Sequence, residues 1–176
     1  MKSILKNKSI IDIAMIAGIL IWTMVIGSFG LYGIRNETEQ TKELLKHQAR
    51  SFFQQIVTTR SWNAKHEGVY VPVTNETQPN SYLVDENRDI VTQKGWRLTK
   101  INPAYMTRQI SEIAKKRKLN QFHITSRNPI RPANAPDKWE IKALSLFTKK
   151  KTEFSSFIKK EDKTTAFRYM GPLWVE

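Results

Sequence analysis

From Ile10 to Ile34 the chain reads IIDIAMIAGILIWTMVIGSFGLYGI, 25 residues in which Asp12, near the edge, is the only charge. Coiled as an α-helix the run reaches roughly 37 Å, more than the ~30 Å of bilayer hydrocarbon, so it predicts a transmembrane span. A buried core helix seldom runs so far without a polar face. Ser28 and Gly30 offer a small-x-small cleavage pattern. The apolar run nevertheless exceeds the about 7 to 15 residues of a signal-peptide h-region, and an uncleaved anchor is favoured. The organisation expected is a cytoplasmic N-terminus over 1–9, an anchor over 10–34 and an extracytoplasmic domain over 35–176. Positive charges are nearly balanced across the span, with three lysines before it and Arg35, Lys42, Lys46 and Arg50 after it. Orientation therefore rests on the short lysine-bearing start, typical of a signal-anchor, and on the ease with which long domains cross regardless of charge.

Beyond the span, Leu44, Leu45, Ala49, Phe52, Phe53, Ile56 and Val57 recur at helical spacing between Glu37 and Trp62, with no proline or glycine to interrupt them. The pattern predicts a long helix continuing from the membrane, either a plain stalk or an element able to pass a small displacement across the bilayer. GVYVPVT, 68–74, predicts a short strand with Pro72 at an edge or terminus, and the polar stretch 75–94 reads as a surface excursion. Asn102 and Pro103 form a helix start whose apolar face is expected at Met106, Ile110, Ile113 and Ala114, closed by the basic run Lys115–Lys118. LNQFHITS, 119–126, reads as a strand, and NPIRPANAP after it cannot be regular. A further helix is expected over 137–149, with Trp139, Ala143, Leu144, Leu146 and Phe147 inward. TEFSSFIKK and TTAFRYMGPLWVE flank the polar EDK turn and predict a β-hairpin. The class is α+β, a PAS-like antiparallel sheet with flanking helices.

Composition changes this picture in two ways. The 176 residues carry 29 lysines and arginines against 16 acids, a net charge of +13, with 40% apolar residues, enough for a core. Leaving out the first 34 residues keeps 26 basic against 15 acidic side chains, so the basicity belongs to the domain. A domain tethered beside a bilayer meets anionic headgroups before phosphate backbones, and no specific nucleic-acid partner is expected. Cysteine is absent, which removes disulfides, thiolate metal sites and a cysteine nucleophile.

Candidate chemistry is sparse. Metal-ligand spacings, G-x-S-x-G, Walker and G-x-G-x-x-G patterns do not occur, and the chain is not expected to be an enzyme. His47 falls on the helix face opposite Leu45, Phe52 and Phe53 and should be exposed. His123 points with Gln121 and Thr125, more a structural histidine than a ligand. Trp62, His66 and Tyr70 surround a helix-to-strand junction, where a pocket wall commonly forms, although a structural role is the plainer reading of His66. Arg127, Arg131, Trp139, Arg168, Tyr169 and Trp174 could frame an apolar pocket with charged ends for an acidic ligand, or be core with a solvated rim.

Five ordered stretches, QARSFFQQIVTTRSWNAKHEGVYVPVT, ETQPN, LTKINPAYMTRQISEIA, FHITSRNPIRPANAPDKWE and FRYMGPLWVE, together resemble the PAS-like haem c sensor family, catalogued as a domain of unknown function. The resemblance covers most of 48–176. It implies an extracytoplasmic input domain of bacterial histidine kinases, diguanylate cyclases or chemoreceptors at the inner membrane, and it marks Trp62 and His66 as pocket-lining. Members continue past the block matching PLWVE into a C-x-x-C-H haem attachment motif, just beyond the point where this chain ends, so the expectation is a truncated input domain without covalent haem. Haem c would belong to full-length relatives. The alternatives are an anchored haem protein in electron transfer and a haem-free receptor for a small ligand. The lipid bilayer is the expected partner, and the long helix could serve a homodimer.

Overall fold

The computed structural model describes residues 2–147 and 151–173, and these form two units, 1–47 and 48–176, each taken by itself here. The predicted helix at 148–149 and the terminal Trp174 lie outside the described residues.

Helix α1 runs from Lys2 to Lys65. In the first unit it carries the stretch starting at Ile10 that is long and apolar enough to cross a membrane, none of which is buried within the protein. Ile19, Leu20, Ile21, Trp22 and Phe29 are all more than 60% exposed, which is costly in water and favourable in lipid.

The second unit is α+β, as the pattern predicts. After α1 the chain turns at Glu67 and Gly68, both at positive φ, and the Gly68 amide closes the helix by donating to Asn63 O at 2.9 Å. A Cβ on Gly68 would stand 3.0 Å from Lys100 Cγ and 3.1 Å from Ile101 O, so both its φ of +95° and its packing call for glycine. Strands β1 (Val69–Pro72), β2 (Asp89–Val91) and β3 (Arg97–Ile101) make an antiparallel sheet in the order β1-β3-β2, with Val69 opposite Ile101 and Ile90 opposite Leu98. Pro72 ends its edge strand, as expected. Helix α2 (Pro103–Lys116) follows β3 directly, and α3 (Lys138–Leu146) leads to the hairpin of β4 (Phe154–Lys159) and β5 (Thr165–Met170). The hairpin turn is fastened by Asp162, which accepts from the Thr164 amide at 2.9 Å.

Several expectations need correction. The segment 119–126 is not a strand: no ladder pairs it, and Ser111 Oγ instead donates to Phe122 O at 2.5 Å and accepts from Phe122 N at 3.2 Å. The excursion 75–94 contains β2, and β3, the central strand, went unpredicted because RLTKI buries Thr99 and Ile101 and keeps half-buried Lys100 in an ion pair. On α2 the buried side chains are Tyr105, Thr107 and Ala114, while Ile113 is 52% exposed. Phe52 on α1 is likewise turned outward, and Asn63 is the fully buried residue among those of the helix whose burial is described.

The core is accordingly small and polar. Ile101, Tyr105, Ala114 and Ala143 are its buried apolar side chains, beside Asn63, Asn80, Thr99, Thr107 and Glu140. Most of these buried polar groups are hydrogen-bonded, as burial requires, while Asn63 Oδ1 and Thr99 Oγ1 are left without a partner. Asn63 Nδ2 donates to Ile101 O at 3.0 Å, and Arg60 Nη1 donates to Pro103 O at 2.9 Å and Thr107 Oγ1 at 3.1 Å. Burial lowers the pKa of Arg60. These bonds fix the end of α1 to the β3–α2 junction.

Candidate functional site

The start of α2 is set by local chemistry. Asn102 Oδ1 accepts from the Tyr105 amide at 2.9 Å, and Pro103 occupies the first turn, where no amide hydrogen is needed. Tyr105 Oη then donates to Gln78 O at 2.6 Å and Gln109 Nε2 to Thr77 Oγ1 at 3.2 Å, drawing the 74–82 loop onto the helix. On the other side lies the segment 122–134, which is irregular except for a 3-10 turn at Pro132–Asn134, a short regular piece that the proline-rich sequence was not expected to form; Ser111 ties it to α2, and Thr125 Oγ1 closes it on itself by donating to Asn134 O at 2.8 Å. Between these walls lies a half-enclosed cavity of about 470 Å³. Phe122, Ile124 and Ile130 supply apolar lining, while Arg108, Arg131 and His123 supply basic side chains.

Behind the cavity stands a charge network. Glu140 on α3 is 3% exposed and receives three donors: His123 Nδ1 at 2.7 Å, Arg168 Nη2 at 3.0 Å and the Asp137 amide at 2.9 Å. Asp137 caps α3 by accepting from the Glu140 amide at 2.8 Å, a reciprocal capping box, and takes Arg168 Nη1 at 2.5 Å. Burial would raise the pKa of Asp137, but the Glu140 amide and Arg168 together outweigh it and hold the carboxyl below its ordinary value. Arg168 also stacks on Trp139, its guanidinium 4.3 Å from the ring centre. The hairpin thus positions the histidine that lines the cavity, through one buried carboxylate.

Of the residues singled out from sequence, His123 and Arg131 line this cavity and Arg168 reaches it through Glu140. Trp62 and His66 stack on each other at the end of α1, ring centres 4.5 Å apart, with His66 Nδ1 2.8 Å from Trp62 O and Trp62 54% exposed. Tyr70 lies on β1, where its hydroxyl donates to Asn87 O and Lys100 Nζ sits 5.5 Å from its ring. Arg127 Nη2 donates to Leu144 O at 3.3 Å. Tyr169 Oη donates to Glu153 Oε2 at 3.1 Å, the carboxylate that Arg50 grips with two bonds of 2.9 and 2.8 Å. Burial first, then Glu153, raises the Tyr169 pKa. Trp62, His66, Tyr70, Arg127, Arg168 and Tyr169 are not among the residues that line the cavity.

Sequence reasoning missed Arg108, Ser111 and Glu140. The Asp137-x-x-Glu140 spacing was a readable capping box, but nothing local told that its glutamate would also meet His123 and Arg168. A covalently linked haem requires cysteine thiols, and the chain has none, so these residues do not fit one.

Residues 38–176 match the family described as Tll0287-like. No curated protein and no solved structure matches significantly.

Proposed function

The chain belongs to the Tll0287-like family over 38–176, and on that premise we propose that it is a membrane-anchored extracytoplasmic sensory domain, receiving its stimulus by binding and not by catalysis. The observation that carries this reading is the cavity between α2 and the 122–134 segment. A volume of about 470 Å³ falls within the roughly 300 to 1,000 Å³ of small-molecule sites. Its walls come from one regular helix and one segment that is mostly without regular secondary structure, the kind of boundary that can shift on binding. The charge network ties that segment to α3 and the hairpin, and the hairpin reaches α1 through Arg50 and Glu153. A change at the cavity therefore has a bonded route to the helix whose apolar stretch anchors the chain.

Protease added to intact spheroplasts tests the orientation. Digestion of the domain is expected; protection that is lost only on lysis would overturn it. Titration of the full chain in detergent with hemin separates the two ligand readings. A saturable Soret shift blocked by filling the cavity would return the function to haem, and an unchanged spectrum is expected.

A further inference from the structure

We infer that the cavity is a site for a small organic carboxylate with an apolar body, gripped by Arg108 and Arg131; this rests on the sensory reading and names its ligand class. Apart from Arg60, the half-buried basic side chains elsewhere in the second unit are matched by carboxylates: Arg50 has Glu153, Arg88 has Asp89, Lys100 has Asp85 at 2.6 Å, and Arg168 has Asp137 and Glu140. Arg60, whose Nη1 donates to Pro103 O and Thr107 Oγ1, is not in the cavity lining. The two arginines at the cavity are different. Arg108, with its side chain 23% exposed, has only a loose ion pair along its own helix: Glu112 Oε1, on a side chain 61% exposed, lies 4.0 Å from Nε, too far for a hydrogen bond and screened by water. Arg131 donates only to a neutral acceptor, Asn134 Oδ1 at 3.3 Å, among the described residues.

The geometry leaves their donors available. The Arg108 guanidinium lies with its carbon 4.2 Å from the centre of the Tyr105 ring, a face contact that leaves the in-plane N–H groups free to fork onto an anion. Helix α2 begins at the same cavity: Pro103 has no amide hydrogen and Asn102 answers the Tyr105 and Met106 amides, which leaves the Ala104 amide at the positive end of the helix. Glu112 is the carboxylate in the lining, and at 61% exposure it stands in solvent. Glu140, which lies behind His123, is already neutralised by Arg168. Phe122, Ile124 and Ile130 would cover the uncharged part of the ligand, which sets an organic carboxylate apart from inorganic phosphate.

Isothermal titration of the full chain in detergent micelles with phenylacetate and hexanoate, their neutral amides and inorganic phosphate tests this. Saturable binding of a carboxylate is expected, with affinity reduced about tenfold or more in R131Q and in R108Q. R131K keeps the charge but loses the fork, and should fall between wild type and R131Q. Ala104 is exposed and lines the cavity, so A104W should block binding while leaving the thermal melt of the apo-protein near that of wild type. Amides binding as tightly as the acids, insensitive to R108Q and R131Q but blocked by A104W, would overturn the carboxylate assignment and leave a sensory cavity standing. Phosphate equalling both carboxylates would overturn the organic class. No binding of any probe to wild type would overturn the inference, while the spheroplast assay judges the anchored sensory domain independently.

Discussion

Replacing Glu140 by alanine should remove the joint between α3, the hairpin and the cavity wall. Three donors lose their acceptor: Arg168 Nη2, His123 Nδ1 and the Asp137 amide. Breaking a buried ion pair costs about 3 to 5 kcal/mol when the surviving charge is stranded in a dry interior. Here the survivors are less confined. The Arg168 side chain is 26% exposed and keeps Asp137, and the His123 side chain is 42% exposed, so both regain water. Losing half of the capping box adds about 1 kcal/mol. The expected loss is therefore about 3 kcal/mol. Arg168→Ala should also cost about 3 kcal/mol, because it strands a carboxylate that is 3% exposed and uncovers Trp139. The double substitution should cost about 1 to 2 kcal/mol less than the two singles together, since each single removes the same bond. Urea unfolding of the full chain in micelles, followed by tryptophan emission, measures all three if the slope with urea is unchanged. A loss under about 1 kcal/mol for Glu140→Ala, or strict additivity in the cycle, would refute the joint.

Three further outcomes follow from single contacts. Gly171→Ala would bring a Cβ within 2.7 Å of Phe53 Cζ, so the ring or the chain at Gly171 must shift, and a loss of about 1 to 3 kcal/mol is expected in the same assay; a neutral result would mean the ring moves freely. Asn102→Ala removes the α2 cap and should cost about 1 kcal/mol, with Asn102→Asp recovering it; equal melts for the alanine and aspartate variants would discount the cap. Lys100 and the Asn87 amide hold Asp85 below its ordinary pKa, and Arg88 does the same for Asp89. A carboxylate with a depressed folded pKa stabilises above its unfolded value and loses that contribution as pH falls through the folded one, so the melting temperature should hold near neutrality and drop below about pH 4. Asp85→Asn should flatten part of that acid limb, and an identical limb in the variant would remove Asp85 from the account.

What the sequence by itself determined are the features whose signals lie within one turn or one segment. The apolar stretch from Ile10 is long and apolar enough to cross a membrane, and that is read from one segment alone. Asn102-Pro103 starts a helix because its cap and its missing amide are local, and the EDK turn closes a hairpin because Asp162 answers an amide two residues away. The class of the domain follows from such pieces in order. What only the tertiary structure decided are the features that depend on distant partners. LNQFHITS has the composition of a strand, yet no strand pairs with it, and Ser111 takes up the Phe122 amide and carbonyl instead. RLTKI looks like a polar connector until β1 and β2 pair on both its sides and Lys100 meets Asp85. The same holds for the site. Arg108 and Arg131 stand 23 positions apart in the chain, and Glu140 looks like a surface helix residue until His123 and Arg168 arrive from other segments. Charge pairing between remote groups is a property of the folded surface alone, because only folding brings them within bonding distance and removes the water that would otherwise screen them.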